Sequence, residues 1–232
     1  MLIFRTLFLT SALFLLGLGA LAQEKKLIEE IETIEIPKSK AIMDNREALV
    51  ENYLNGLISL KANFVQRGPM GNITSGTFNL EKPGKARFEY DDPQTFLIVS
   101  DGEILNLIDY EVGQVTKWPV NDTPLALLLG ANISFGETLI LQSAEAGDLA
   151  NIIEVTAHNP KKPEQGTLTL YFSLNATEGE TNLTLRAWQV IDAKGDLTSV
   201  TLTDIQENIV LEASLWEFED PRSDRLQRRR RR

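Results

Sequence analysis

The chain contains no cysteine and one histidine, His158. Without cysteine there is no disulfide framework, thiolate metal site, cysteine nucleophile or acylated cysteine. A single histidine excludes metal sites built on two or three imidazoles. Basic residues are also scarce, 23 against 33 acidic, for a formal net charge of −10. That balance lacks the basic footprint that nucleic-acid binding requires. No glycine-rich phosphate loop and no G-x-S-x-G nucleophile elbow is present. Carboxylate pairs such as Asp91/Asp92 and Glu217/Glu219 fall in turns or strands, where solvated charge is the ordinary role. His158 precedes Asn159-Pro160 at a strand end and reads as a surface turn residue rather than a general base. No catalytic residue, cofactor or metal is expected, so the chain reads as a binding protein and not an enzyme. Its 43% apolar content is ordinary for a folded domain.

Long apolar runs are limited to one, at the N-terminus. In residues 1–22, Arg5 precedes an uncharged, mainly apolar run from about Leu7 to Leu18, and Ala20-Leu21-Ala22 supplies the small residues of a cleavage site. The competing reading is an uncleaved anchor, but the uncharged run lies at the lower limit for spanning a bilayer. A signal peptide cleaved after Ala22 is the expectation, leaving a soluble, exported chain. A lipoprotein would carry cysteine directly after the cleavage site; this chain has Gln23.

The charge is uneven. Seven of the 23 basic residues are arginines in 222–232 and Arg5 lies in the signal peptide, leaving 15 basic against 32 acidic residues in 23–221. An acidic body therefore ends in an Arg-rich tail, expected to be disordered. The expected organisation is a charged leader over 23–43, one domain over 44–221, and the tail over 222–232.

Within the domain, Asp44 reads as an N-cap with Glu47 three residues on. Ala48, Leu49, Leu54, Leu57 and Ile58 then give one apolar face of a helix over 45–59. From Leu60 the period changes to two, predicting strands near 61–67, 73–80, 84–90, 94–100, 103–109 and 112–118. They resume near 151–157, 166–173, 182–192, 196–203 and 205–211. Lys82-Pro83-Gly84, Asp91-Asp92-Pro93, Asp101-Gly102 and Lys194-Gly195-Asp196 supply hairpin chemistry between them. About eleven strands joined by short turns must pair antiparallel, and a meander of that length curls.

The interruption over 121–141 predicts a short helix, with Thr123 as cap, Pro124 at a tolerated first position and Leu125, Leu127, Leu128 and Leu129 following. A second short helix is expected over 136–143. Two such apolar helices either complete a solid core or form a lid over the concave face of the sheet.

Several stretches in register resemble a known family. They are Phe64-Val65-Gln66; Ser75 to Tyr90, reading SGTFNLEKPGKARFEY; Ile98 to Gly102; Thr123 to Leu129; Trp188 to Asp192; and a strand-like Leu215-Trp216-Glu217-Phe218. Together they are similar to the LolA family of periplasmic outer-membrane lipoprotein carriers. The resemblance implies a mainly β fold: an unclosed antiparallel β-barrel of eleven strands, an N-terminal helix, and short lid helices over a hydrophobic cavity. It implies a monomer in the periplasm that binds the acyl chains of lipoproteins. Its partners would be an inner-membrane ABC lipoprotein-releasing complex and an outer-membrane acceptor. The family often places arginine before the proline of the 82–84 turn, latching the lid; here that position is Lys82, which keeps the charge without the planar fork of donors.

Strand alternation nominates the residues that would contact lipid: Phe78, Leu80, Phe88, Tyr90, Phe96, Ile98, Leu168, Leu170, Phe172, Leu183 and Leu185, with Leu125, Leu127, Leu128 and Leu129 from the lid. A one-residue slip in any strand would invert its contribution. The alternatives are a same-fold periplasmic protein that senses or ferries another lipid, and an exported hydrolase with an unrecognised site.

Overall fold

A computed structural model describes residues 38–222, apart from 94, 137–139, 147–151, 160 and 178–179. The expected signal peptide, most of the leader and the tail beyond Arg222 lie outside the described residues. The chain separates into units Met1–Ile42 and Met43–Arg232, and the second holds the sheet.

Helix α1 (Lys38–Gly56) is followed by β1 (Ser59–Arg67), β2 (Ile73–Glu81), β3 (Lys85–Tyr90), β4 (Phe96–Asp101), β5 (Ile104–Asp109) and β6 (Gln114–Pro119). A 3₁₀ turn (Val120–Asp122) and the short helix α2 (Ala126–Leu129) lead to β7 (Ile140–Ala146) and β8 (Ile152–His158). Then come β9 (Thr167–Thr177), β10 (Glu180–Ile191), β11 (Leu197–Glu207) and a 3₁₀ turn over Ala213–Trp216. All eleven strands form one antiparallel sheet, ordered β6-β5-β4-β3-β2-β1-β11-β10-β9-β8-β7. The pairing of β1 with β11 joins the two meanders into one curved sheet. Its ends, β6 and β7, do not pair with each other, so the barrel is unclosed.

The count of eleven matches the expectation, but two differences offset each other within it. The stretches expected near 196–203 and 205–211 merge into one strand that ends at Glu207, with a bulge and not a turn between them. Opposite it the register on β1 shifts between Lys61 and Asn63, and Asp204 takes a positive φ of 52°, accepting a hydrogen bond from Asn63 Nδ2 at 2.8 Å. A bulge absorbs the extra residue while the ladder continues. Conversely, where a helix is expected over 136–143, of which 137–139 lie outside the described residues, Ile140–Ala146 is edge strand β7, paired from Ile140↔His158 to Ala146↔Ile153. The ladder along β8 satisfies its backbone where an isolated short helix would leave its ends open.

Two smaller corrections concern the ends of the domain. Asp44 lies inside α1, which starts directly after Pro37, so it is not an N-cap. The buried residues of α1 are Val50, Leu54 and Leu57, with Leu49 and Tyr53 alongside; Ala48 is exposed and Ile58 is 65% exposed. Leu215 to Phe218 is not a strand, since Ala213–Trp216 is a 3₁₀ turn.

The concave face carries the main core. Phe64, Phe78, Phe88, Leu170, Phe172, Leu185, Trp188, Val200 and Leu202 are all buried in it. Phe64 meets the rings of Phe88 and Tyr90 edge-on at 5.5 and 5.2 Å. Gly76 lets this packing close, because a Cβ there would stand 2.0 Å from the Glu89 carbonyl oxygen. A second cluster, Leu97, Val99 and Ile108, faces the other way and is covered by Phe218. The covering strap leaves β11 through Asn208, whose positive φ of 55° and bonds to Ile58 and Ser59 turn the chain. Arg87 then holds the strap by donating from Nη1 to the carbonyls of Leu215 and Glu217, both at 3.1 Å.

Candidate lipid-binding cavity

Alternation sends Phe88 and Tyr90 of β3, Ile98 of β4, Leu105 of β5, Trp118 of β6, Trp188 and Val190 of β10, and Val200 of β11 to one side of the curved sheet. With Leu125 and Pro124 from the interrupting segment they enclose an apolar cavity of about 390 Å³. That volume falls within the range of small-molecule sites. Gln66, Asp122, Thr123 and Thr198 supply its few polar groups. The Tyr90 hydroxyl donates to Gln66 Oε1 at 3.0 Å, and burial pushes the phenol up to about 12. Tyr90 is therefore neutral at physiological pH, and the wall around it stays uncharged.

The leucine-rich segment closes over this space. Leu127, Leu128 and Leu129 are 6%, 0% and 1% exposed and belong to the main core, and Leu125 packs against it. Thr123 does not cap α2: its hydroxyl donates back to the Val120 carbonyl at 2.8 Å, and Leu125 occupies the cap position with no side-chain bond. The amide of Gly84 donates to the Leu129 carbonyl at 2.9 Å. Asn55 of α1 clamps Ile133 in both directions, Nδ2 to its carbonyl at 2.9 Å and its amide to Oδ1 at 2.8 Å. Glu51 Oε1 accepts the Phe135 amide at 2.5 Å.

Lys82 does not bond the 126–129 helix. Its ammonium donates to the Leu54 carbonyl, 2.6 Å away in the last turn of α1, where a cation also suits the helix dipole. Burial lowers its pKa to about 8. Any latch role it has therefore runs through α1, while the neighbouring Gly84 makes the bond to the leucine segment. Helix α1 is fastened from its other side by Tyr53. That hydroxyl donates to Glu207 Oε1 at 2.5 Å and accepts the Leu185 amide at 3.1 Å, and its ring meets Phe172 edge-on at 5.3 Å. Burial raises the Tyr53 pKa far above its ordinary value.

Of the residues nominated from alternation, Phe88, Tyr90, Ile98 and Leu125 border the open apolar space. Phe78, Leu80, Leu170, Phe172 and Leu185 are at most 1% exposed, and Leu168 and Leu183 are 3% and 6% exposed. They form the packed core beneath it, and Leu168 also borders a second, more polar cavity. Phe96 is 39% exposed and borders an adjoining 250 Å³ depression, which shares Gln66 and Tyr90 with the apolar cavity and adds Asn72, Thr74 and Leu107. Leu105, Trp118, Trp188, Val190 and Val200 line the cavity and are not among the nominated lipid contacts, although Trp188 and Val190 lie in the Trp188–Asp192 stretch that carries the family resemblance. Trp188 follows a bulge between Leu185 and Ala187 that resets the alternation, and no local sequence signal marks it.

Behind the leucine segment lies a more polar cavity of about 310 Å³. Its lining mixes polar Asn121, Asn132, Ser134, His158, Lys162 and Gln165 with apolar Leu127, Ile133, Ala157 and Leu168. His158 is thus not a free surface residue, since its buried Nδ1 lacks a partner among the described residues. Among the described residues no cluster of three or more acidic or histidine side chains could hold a metal. None of the described helices is long and apolar enough to cross a membrane.

Residues 55–219 match the family model described as outer membrane lipoprotein carrier protein LolA. Relatives called outer-membrane lipoprotein carrier protein include one from Cupriavidus necator, 27% identical over 201 residues, spanning 82% of this chain and 89% of that protein. Another, from Chromohalobacter salexigens, is 28% identical over 198 residues, spanning 82% and 90%. A third, from Pseudomonas fluorescens, is 31% identical over 153 residues, spanning 64% and 69%. With an unclosed eleven-stranded sheet curved around a leucine-capped cavity and the family match extending from the end of α1 through the strap, the chain belongs to the LolA family.

Proposed function

We propose that this protein is a periplasmic carrier. It takes the acyl chains of lipoproteins released by an inner-membrane ABC complex and delivers them to an outer-membrane acceptor. The observation that carries the reading is the apolar cavity between the sheet and the leucine segment. Transferring acyl chain from water yields about 0.8 kcal/mol per CH₂, so one long chain represents roughly 10 kcal/mol. Leaving a membrane costs a similar amount, so a carrier needs an interior of comparable apolarity merely to break even. An empty, open cavity would present a large apolar patch. Leu127, Leu128 and Leu129 limit this by packing into the core beside the cavity when no lipid is bound and leaving when a chain enters. Phe88, Tyr90, Ile98 and Leu125 make the first contacts with the chain, and the floor from Phe78 to Leu185 sets its depth. Lys82 steadies α1 against the closed lid. Affinity below that of the acceptor would let cargo move on without ATP.

The test is depletion in the native host combined with reconstitution. Outer-membrane lipoproteins should accumulate at the inner membrane, and purified protein should hold lipidated but not delipidated cargo. Equal retention of the two cargo forms would remove the acyl cavity from the mechanism.

A further inference from the structure

The leucine segment has open space on both faces. The apolar cavity lies in front of it and the polar cavity behind, and Thr123 and Pro124 border both. The later part of the segment is held by Gly84, Asn55 and Glu51. For 121–125, among the described residues, hydrogen bonds from elsewhere in the chain come only from the turn between β8 and β9. Lys162 Nζ donates to Asp122 Oδ1 at 2.6 Å and to the Asn121 carbonyl at 3.1 Å. Gln165 Nε2 donates to the same carbonyl.

The turn is built to hold those donors still. Asn159 accepts the amides of Lys161 and Lys162, and a 3₁₀ turn spans Pro163–Gln165. Gly166, at a φ of 75°, packs so closely that a Cβ would stand 2.0 Å from the Ile191 carbonyl oxygen. Gln165 is itself only 7% exposed. A rigid donor pair thus grips a segment that has room to move on either side.

We propose that Lys162 and Gln165 are positioning residues that set how often the lid opens, and that the polar cavity is the space into which the lid base withdraws. Open space of about 310 Å³ can give way to the moving segment where a close-packed wall would resist it. Only the identity of the cargo rests on the carrier reading; the clamp acts in the empty protein.

The experiment is hydrogen–deuterium exchange at the amides of Leu128, Leu129 and Gly130 in the free, full-length protein. These amides bond within the segment and exchange when it opens. Lys162→Ala combined with Gln165→Leu should speed exchange about tenfold, the order set by losing an exposed ion pair and its neighbouring hydrogen bonds. Lys162→Arg keeps a cationic donor and should stay near wild type. Added salt should speed exchange in wild type by screening the pair and leave Lys162→Ala unaffected. Amides of β9 and β10 should exchange as in wild type, excluding general loosening. Unchanged exchange at 128–130 in the double variant, or one salt response shared by wild type and Lys162→Ala, would overturn the clamp. Failure of wild type to retain lipidated cargo would instead strike the carrier reading and leave the exchange result standing.

Discussion

Truncating Leu128 to alanine tests whether lid and lipid compete for the same space. Leu128 is 0% exposed in the closed form. Leucine-to-alanine changes at fully buried sites cost about 2.7–5.0 kcal/mol, with the spread set by how far the cavity collapses. If an acyl chain takes the place of the leucine, that cost falls on the empty protein and not on the loaded one. A difference of about 3 kcal/mol then tightens apparent lipid binding by roughly a hundredfold, at 1.4 kcal/mol per decade. The empty protein should meanwhile unfold earlier, by roughly 6–12 °C for a domain of this size. Binding is read by titrating a dansyl-labelled fatty acid and following energy transfer from Trp118 and Trp188, which line the cavity. Leu170→Ala is the control, since Leu170 is equally buried but lies in the floor. It should lose comparable stability without gaining affinity. Weaker binding by Leu128→Ala, or an equal gain by Leu170→Ala, would refute the competition.

Arg87→Ala removes both bonds to the strap and the 2.9 Å pair with Glu89. The expected loss is about 1.5–3 kcal/mol, with Trp216 becoming accessible to acrylamide quenching. Gly76→Ala places a methyl against the Glu89 carbonyl at 2.0 Å and the Phe64 ring at 2.9 Å. Denaturant unfolding should show a loss of about 1–3 kcal/mol or more. Lys82 gives a pH signature because burial lowers its pKa from 10.5 to about 8. Between those values the unfolded chain binds the proton that the folded chain has released, so stability rises with pH across that window. Thermal unfolding of wild type should rise there relative to Lys82→Met and run parallel to it below pH 8; parallel curves throughout would contradict the burial of the amine.

Much of the fold is legible in the residues because alternation and turn chemistry are local. The hairpins around Lys82-Pro83-Gly84 and Asp101-Gly102 appear where expected. Positions such as Phe78, Leu80, Phe88, Leu168, Leu170 and Phe172 alternate onto the concave face. Local reasoning fails where pairing partners decide. Asp204 looks like the end of a strand, yet β11 continues past it through a bulge along β1. Residues 140–143 belong to a stretch that reads as helix, yet β8 offers 140–146 a ladder. The site shows the same division. The leucines of the lid announce themselves by composition, whereas Trp188 and Val200 become cavity wall only because β11 returns to pair with β1.

The amino-acid sequence by itself determined an antiparallel meander with one apolar face, an interrupting leucine segment and a surface without a basic footprint. Those properties follow from residue spacing and charge, which act over a few positions. The tertiary structure alone decided which nominated side chains border open space and which form the solid floor. It also decided where Lys82 reaches, and that a second, polar cavity stands behind the lid. These depend on volumes enclosed by residues more than a hundred positions apart, such as Gln66 and Trp188. Such volumes arise only when the whole sheet has curved and its two halves have joined.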